Sequence, residues 1–171
     1  CRHFFMPVKY QKINLDDQKP ETYAYREYGS EKNQVLIMLH GNYTSSYIFE
    51  KTFMKFAEAF RVIAPDMRGF GLSSYATKLK SFDDLAKDLH YFLKDMKIDK
   101  CSVLGWDIGA CVALKFAAQY PGSIDKLILV SPVSLTGKTY IKDPDNDEIV
   151  LPEWSDDIDA ALNDRRLKEI Q

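Results

Sequence analysis

Hydrophobic positions along the chain follow two alternating patterns. Four short, mainly apolar runs are typical of strands that are covered on both faces of a sheet. These runs span residues 35–39, 61–65, 101–104 and 127–130. Between them lie segments with large apolar side chains at helical spacing. These segments span residues 45–60, 81–96 and 110–118. Strands that alternate with helices of this length predict an α/β fold with a doubly wound, mostly parallel sheet.

The two ends of the chain depart from this alternation. Residues 8–16 and 21–28 alternate between polar and apolar and are separated by a turn, which predicts a half-exposed antiparallel pair. After residue 134 the sequence becomes acidic and is broken by prolines, and a last helix is expected from Ser155. We therefore expect an α/β core over residues 1–134. Residues 135–171 are expected to form an acidic loop plus a helix that begin a cap or a partner-contact segment.

Composition and charge restrict the classes of partner. A net charge of −2 gives no indication of nucleic acid or of an anionic membrane surface, and no apolar run is long enough to span a membrane. Cys101 and Cys111 fall in predicted core elements and show no metal-binding spacing, so we expect a reducing compartment, no metal and no cofactor. The expected location is intracellular, with the cytoplasm as the first choice. Because the chain begins at Cys1, an organelle with a processed N-terminus is the alternative.

A glycine-flanked turn follows the apolar run 101–104. Gly105 and Gly109 stand two residues either side of Asp107, with Trp106 and Ile108 between them, and a helix-like run follows. Such a turn places its central side chain in the open at the carboxyl end of a strand. Glycines are needed because the strand and the helix pass too close for a Cβ. The pattern matches the nucleophile elbow G-x-S-x-G, with aspartate where serine is usual.

Two further motifs stand at the ends of two other predicted strands. His40-Gly41-Asn42 follows the run 35–39, and residues 66–73 follow the run 61–65. Together with the elbow, and in this order, they resemble the α/β-hydrolase family over about residues 8–133. The resemblance implies an oxyanion hole formed by the backbone N–H groups of Asn42 and Ile108. It also implies supporting roles for the neighbouring motif residues. These are His40, Gly41, Gly105, Trp106 and Gly109.

Asp107 admits two interpretations. Family members with aspartate at the elbow include haloalkane dehalogenases and epoxide hydrolases, in which the carboxylate attacks an alkyl carbon and forms an ester. Alternatively, aspartate is retained only because it tolerates positive φ, and a former serine nucleophile has been lost. The sequence favours the second interpretation, because Tyr43 stands where members with an aspartate nucleophile usually have proline. Ile108 stands where those members often have tryptophan or arginine.

A complete hydrolase of this family also needs a histidine base and an acid that orients it. None of His3, His40 and His90 stands where the resemblance places the base. His40 is expected to be a buried residue that shapes its loop. We therefore expect a sheet without the family's last strands, followed by a short cap-like segment.

The edge strand over residues 127–130 should then be apolar and open to a partner, either another polypeptide or a missing C-terminal segment. A small hydrophobic ligand could be a further partner. The expected function is that of a hydrolase-like structural or partner-binding subunit without catalysis. The alternative is the N-terminal piece of a split or truncated hydrolase of the ester, epoxide or haloalkane class, with Asp107 as nucleophile.

Overall fold

The computed structural model describes residues 7–16 and 18–133, and further along the chain it describes the backbone of two short strands. The strands are β1 (Lys9–Ile13), β2 (Glu21–Tyr28), β3 (Val35–Leu39), β4 (Arg61–Pro65), β5 (Cys101–Trp106), β6 (Ile124–Val130), β7 (Ile141–Lys142) and β8 (Ile149–Val150). The helices are α1 (Glu50–Ala57), α2 (Phe82–Asp95) and α3 (Ile108–Gln119), with single 3₁₀ turns at Ser46–Phe49 and Pro121–Ser123. The helix predicted from Ser155 lies outside the described residues.

Strands β1 to β6 form one sheet in the order β1-β2-β4-β3-β5-β6. β1 and β2 are antiparallel, as are β2 and β4, whereas β4, β3, β5 and β6 run parallel to one another. The predicted α/β fold with a mostly parallel sheet is confirmed, and so is the antiparallel pair near the N-terminus. Because parallel strands share a direction, the carboxyl ends of β3, β4 and β5 meet at one edge of the sheet. The three sequence motifs therefore lie at that edge.

Helices cover both faces of this sheet. α2 and α3 contribute to the larger core, in which Phe92 and Phe116 are fully buried. α1 and the turn before it cover the other face, where the aromatic residues at helical spacing pack together. These are Phe49, Phe53, Phe56 and Phe60. Burying one such ring stabilises the fold by about 1.5–3 kcal/mol. None of the three described helices is long and apolar enough to cross a membrane.

Local signals determine where α2 begins. The Ser81 side chain accepts a hydrogen bond from the Asp83 N–H, and the Asp84 carboxylate accepts one from the Ser81 N–H. This capping box satisfies two backbone donors that the first turn of a helix leaves without an internal partner. It lies at the start of the helical segment predicted over residues 81–96.

Strand β6 forms one edge of the sheet and is open to solvent. Ile128, Leu129 and Val130 are 43%, 36% and 42% exposed, whereas Leu127 packs against the larger core. Within the described part of the chain, no strand pairs with the outer edge of β6. Such an edge offers backbone N–H and C=O groups for pairing with a further strand.

Candidate active site

The turn between β5 and α3 holds Asp107 in an unusual backbone conformation. Its φ is 56° and its ψ is −121°, a region that costs a residue other than glycine about 1–3 kcal/mol. Bonds on both sides hold the turn. The Asp107 N–H donates to the Val130 carbonyl oxygen at 3.0 Å, and the Asp107 carbonyl accepts from the Ala110 N–H at 3.0 Å. The half-buried side chain therefore projects at the carboxyl edge of the sheet.

Two glycines allow this turn to pack against the sheet. A Cβ at Gly105 would collide with the backbone of Gly109 and Ala110. A Cβ at Gly109 would collide with the carbonyl oxygens of Leu39 and His40. The first turn of α3 is thus pressed against β5 on one side and against the end of β3 on the other.

The loop after β3 brings a backbone donor to the Asp107 carboxylate. The Asn42 N–H donates a hydrogen bond to Asp107 Oδ2 at 2.8 Å. A Cβ at Gly41 would lie 3.0 Å from that same oxygen and 3.0 Å from the Trp106 ring, so a larger residue would have to displace these side chains. No described residue donates a hydrogen bond to Asp107 Oδ1. Ile108 is the first residue of α3, and its N–H is one of the donors that a helix start leaves without an internal partner.

His40 is fully buried behind this loop, and both of its ring nitrogens are engaged. Nε2 accepts a hydrogen bond from the Met67 N–H at 3.0 Å, so the ring proton must sit on Nδ1, which lies 2.8 Å from the Gly41 carbonyl oxygen. The Phe70 ring packs against the imidazole edge-to-face, with centroids 5.1 Å apart. Burial lowers the pKa of His40 below its ordinary value of 6.5, although Gly41 and Asp66 oppose this effect. The neutral side chain contacts the loops after β3 and β4 through both ring nitrogens and is not available as a base.

The second described histidine lies away from the elbow. His90 stacks face to face on Tyr120, with ring centroids 4.1 Å apart. Asp107 and Tyr120 flank the two ends of α3, which is about 18 Å long at 1.5 Å per residue, so His90 contacts the end of α3 opposite the elbow. Burial and the neighbouring Lys94 lower the pKa of His90. Of the two histidines that the structure describes, His40 has both ring nitrogens engaged and His90 lies at the far end of α3, so neither is placed to activate a water beside Asp107.

Asp66 fastens the loop after β4 to the loop after β3. Its carboxylate accepts hydrogen bonds from the Ser46 N–H at 2.8 Å, the Ser46 hydroxyl at 2.5 Å and the Leu72 N–H at 2.9 Å. The Arg26 guanidinium in turn donates to the Ser46 oxygen at 2.5 Å. These bonds hold the two loops at a fixed separation beside the elbow.

Arg68, two residues further on, is the most buried cation of the described chain. Its guanidinium donates to both carboxylate oxygens of Asp88, and it also donates to Gln18 and to the Thr77 carbonyl, each at 3.1 Å. Glu21 lies 3.8 Å away. Burial opposes the charge of Arg68, but the hydrogen bonds to Asp88 outweigh it and raise the pKa of Arg68. This pair joins α2 to the loop that contains Met67.

Residues 66–73 could be recognised as a motif in the sequence, but Asp88 was not identified there as the partner of Arg68. The position of Asp88 in the sequence could have indicated this role. Asp88 follows Leu85 by three residues and precedes Phe92 by four, so it lies on the apolar face of α2. A carboxylate on a buried face needs a charged or hydrogen-bonding partner.

Comparisons with known proteins agree with this architecture. The family model for the alpha/beta hydrolase fold matches residues 34–168. An uncharacterized hydrolase of Saccharomyces cerevisiae is 34% identical over 122 residues, which cover 71% of this chain and 41% of that protein. Epoxide hydrolase 1 of Caenorhabditis elegans is 32% identical over 123 residues, covering 71% of this chain and 28% of that protein.

A solved structure shows the same likeness in three dimensions. The haloalkane dehalogenase DbeA from Bradyrhizobium elkani superposes with a TM-score of 0.69 and 27% identity, covering 78% of this chain and 44% of that one. The chain thus spans less than half the length of these three proteins. With the elbow, the loop after β3 and the sheet order in place, the chain belongs to the alpha/beta hydrolase fold family.

Proposed function

We propose that Asp107 is the nucleophile of a hydrolase that acts on an alkyl carbon, as in an epoxide or a haloalkane, and forms a covalent ester. The observation behind this proposal is the hydrogen bonding of the Asp107 carboxylate. Oδ2 is held by the Asn42 N–H, while Oδ1 receives no hydrogen bond from the described residues. One oxygen is therefore oriented and the other is free to attack.

The first step balances without help from a base. Asp107 Oδ1 forms a bond to the substrate carbon while the bond from that carbon to its leaving group breaks, and the electron pair departs with the leaving group. A halide leaves as a stable anion and needs no proton. An epoxide oxygen leaves as an alkoxide and needs a proton donor. A haloalkane is therefore the simpler probe of Asp107 in this chain.

The second step would return the carboxylate. Water attacks the ester carbonyl carbon, and negative charge develops on the carbonyl oxygen, which is the former Oδ2. The N–H of Asn42 already points at this oxygen, and the N–H of Ile108 is the second proposed donor. Since neither described histidine can activate that water, we propose that the base is supplied by a segment that completes the hydrolase. Without it, the ester should accumulate.

The relatives support the same class of chemistry. One of the two reported relatives is named as an epoxide hydrolase, and the reported structure is that of a haloalkane dehalogenase. Both names describe the opening of a bond at an alkyl carbon. The sequence alone favoured loss of catalysis, and the setting of the carboxylate together with these relatives now favours the nucleophile.

Mass spectrometry of the intact chain tests this proposal. The chain is incubated with a short 1-bromoalkane and, separately, with a terminal alkyl epoxide, and modified peptides are then mapped. We expect one added alkyl group, or one added hydroxyalkyl group, on Asp107. Asp107→Asn should abolish the adduct, whereas Asp83→Asn, which removes a carboxylate with 47% exposure, should leave it unchanged. Labelling spread evenly over surface carboxylates, or no labelling, would refute the proposal.

A second candidate function rests on β6. The exposed side chains of Ile128, Leu129 and Val130 favour a structural or partner-binding chain without catalysis, in which another polypeptide or a completing segment pairs with this edge. Sedimentation analysis distinguishes the cases, because this candidate predicts self-association or capture of a complementary strand. A stable monomer at high concentration, together with an adduct on Asp107, would count against it.

A further inference from the structure

A single peptide group connects His40 to the Asp107 carboxylate. The Gly41 carbonyl, 2.8 Å from His40 Nδ1, and the Asn42 N–H, which donates to Asp107 Oδ2 at 2.8 Å, belong to the same peptide bond. A trans peptide is planar, with its oxygen and its hydrogen on opposite sides. Fixing the direction of the carbonyl therefore fixes the direction of the N–H.

We propose that His40 is a positioning residue that aims the Asn42 N–H at Asp107 by holding the Gly41 carbonyl. This inference rests on the proposed role of Asp107 as nucleophile. His40 itself touches neither the substrate nor the reacting oxygen. It acts through the peptide group between them.

The ring can do this in only one protonation state. The Met67 N–H points at Nε2, so Nε2 must be an acceptor and Nδ1 must bear the proton. The other tautomer would set two N–H groups against each other and would leave the Gly41 carbonyl without its donor. The imidazolium would also place a proton opposite the Met67 N–H. The backbone of the loop after β4 thus selects the tautomer that orients the loop after β3.

Burial makes the arrangement hard to replace. His40 is 0% exposed and its ring packs against Phe70, so bulk solvent does not contact the ring that donates to the Gly41 carbonyl. If the Nδ1 donor is lost, the peptide can rotate and the Asn42 N–H no longer points at Oδ2. Removal of one oxyanion donor slows reactions of this kind by about 10²–10³-fold. Misdirection of the donor should slow release of the Asp107 ester by roughly tenfold or more.

Two variants of His40 test the roles of the two ring nitrogens separately. The His40→Asn amide can place a donor near the Nδ1 position, whereas the His40→Gln amide reaches the Nε2 position and provides an acceptor there. The first readout is the chemical shift of the Asn42 amide proton in NMR spectra. This signal is assigned as the amide whose chemical shift changes in Asp107→Asn. We expect the Asn42 signal to stay near the wild-type position in His40→Asn. In His40→Gln it should move to the position seen in Asp107→Asn. A role limited to packing predicts no change of this signal in either variant.

The second readout is kinetic and separates this inference from the proposed function. The alkylated chain is transferred to buffers of increasing hydroxide concentration, and loss of the adduct is timed. His40→Gln should release the ester at least about tenfold more slowly than the wild type, and His40→Asn within about threefold of it. Equal release rates and an unmoved Asn42 amide in His40→Gln would overturn the inference while leaving the nucleophile in place. An absent adduct with the expected amide shifts would overturn the nucleophile alone.

The wild-type chain provides a test that does not depend on the variants folding. The ¹⁵N shifts of the His40 ring should identify Nδ1 as the protonated nitrogen and Nε2 as the acceptor at neutral pH. A scalar coupling from Nδ1–H to the Gly41 carbonyl should also be detectable. A protonated Nε2 at that pH would overturn the inference.

Discussion

The buried Arg68–Asp88 pair should be the most sensitive electrostatic feature of the described fold. The change to make is Asp88→Asn, which preserves side-chain volume, removes the charge and replaces one of the two accepting oxygens by an NH₂ donor. Both side chains are at most 1% exposed, and breaking a buried pair by removing one partner costs about 3–5 kcal/mol. Because Glu21 lies 3.8 Å from Arg68 and compensates part of its charge, we expect about 3 kcal/mol. That is a large part of the roughly 5–15 kcal/mol that stabilises a typical domain.

Urea unfolding followed by circular dichroism measures this loss, and two further variants control it. Lys115→Met breaks the exposed pair with Asp83, whose atoms lie 3.2 Å apart, and should change the free energy of unfolding by less than about 1 kcal/mol. The double variant Arg68→Met, Asp88→Leu removes both buried charges and should recover most of the lost stability. A loss below about 1 kcal/mol in Asp88→Asn would refute the reasoning, since the pair would then behave like a surface pair.

Three further predictions concern the site and the helix that supports it. Gly109→Ala should lower the free energy of unfolding in urea titrations by about 1–3 kcal/mol or more. Gly122→Ala is the control and should leave the free energy of unfolding unchanged, because its Cβ would meet nothing within 4 Å. Equal losses in the two variants would contradict the close packing of the elbow. Because burial lowers the pKa of His40 below 6.5, the unfolded chain binds more protons below that pH. Stability should therefore fall as the pH drops from 7 to 5, by up to about 1.4 kcal/mol per unit from this group, and His40→Asn should remove that part of the slope. Ser81→Ala should lower the unfolding free energy by about 1 kcal/mol and Ser81→Gly by a few tenths, and the reverse order would argue against the capping box.

The elements of the fold could be predicted where their signals are local. The apolar run 61–65 has the same limits as β4, and the predicted helical segment 81–96 differs from α2 by one residue at each end. The order of the strands could not be predicted in the same way. β4 lies between β2 and β3 because strands far apart in the chain pair with each other, and no short window of sequence encodes that choice.

The candidate site likewise has a part that local sequence patterns predict and a part that they do not. The glycines at 105 and 109 could be found because the elbow is a local pattern, and their close contacts follow from it. The hydrogen bond from the Asn42 N–H to Asp107 joins residues 65 positions apart, and its partner atom could not be chosen from the sequence. The bond from the Met67 N–H to His40 spans 27 positions and involves a backbone donor, which every residue but proline provides. The sequence does not distinguish one backbone N–H from another, so these two hydrogen bonds could be found only in the structure.

The position of the Asp107 oxygen also bears on the choice among substrate classes. In an esterase of this fold, the backbone donors at the elbow bind the carbonyl oxygen of the incoming ester. Here the Asn42 N–H donates to Asp107 Oδ2 at 2.8 Å. An external acyl group would have to displace a charged acceptor from that donor, at a cost that a neutral carbonyl cannot offset. An alkyl substrate has no such requirement, because the only carbonyl formed during its turnover is that of the Asp107 ester, and its oxygen is the one already in place. This arrangement supports the proposal that Asp107 acts on epoxides or haloalkanes rather than on esters.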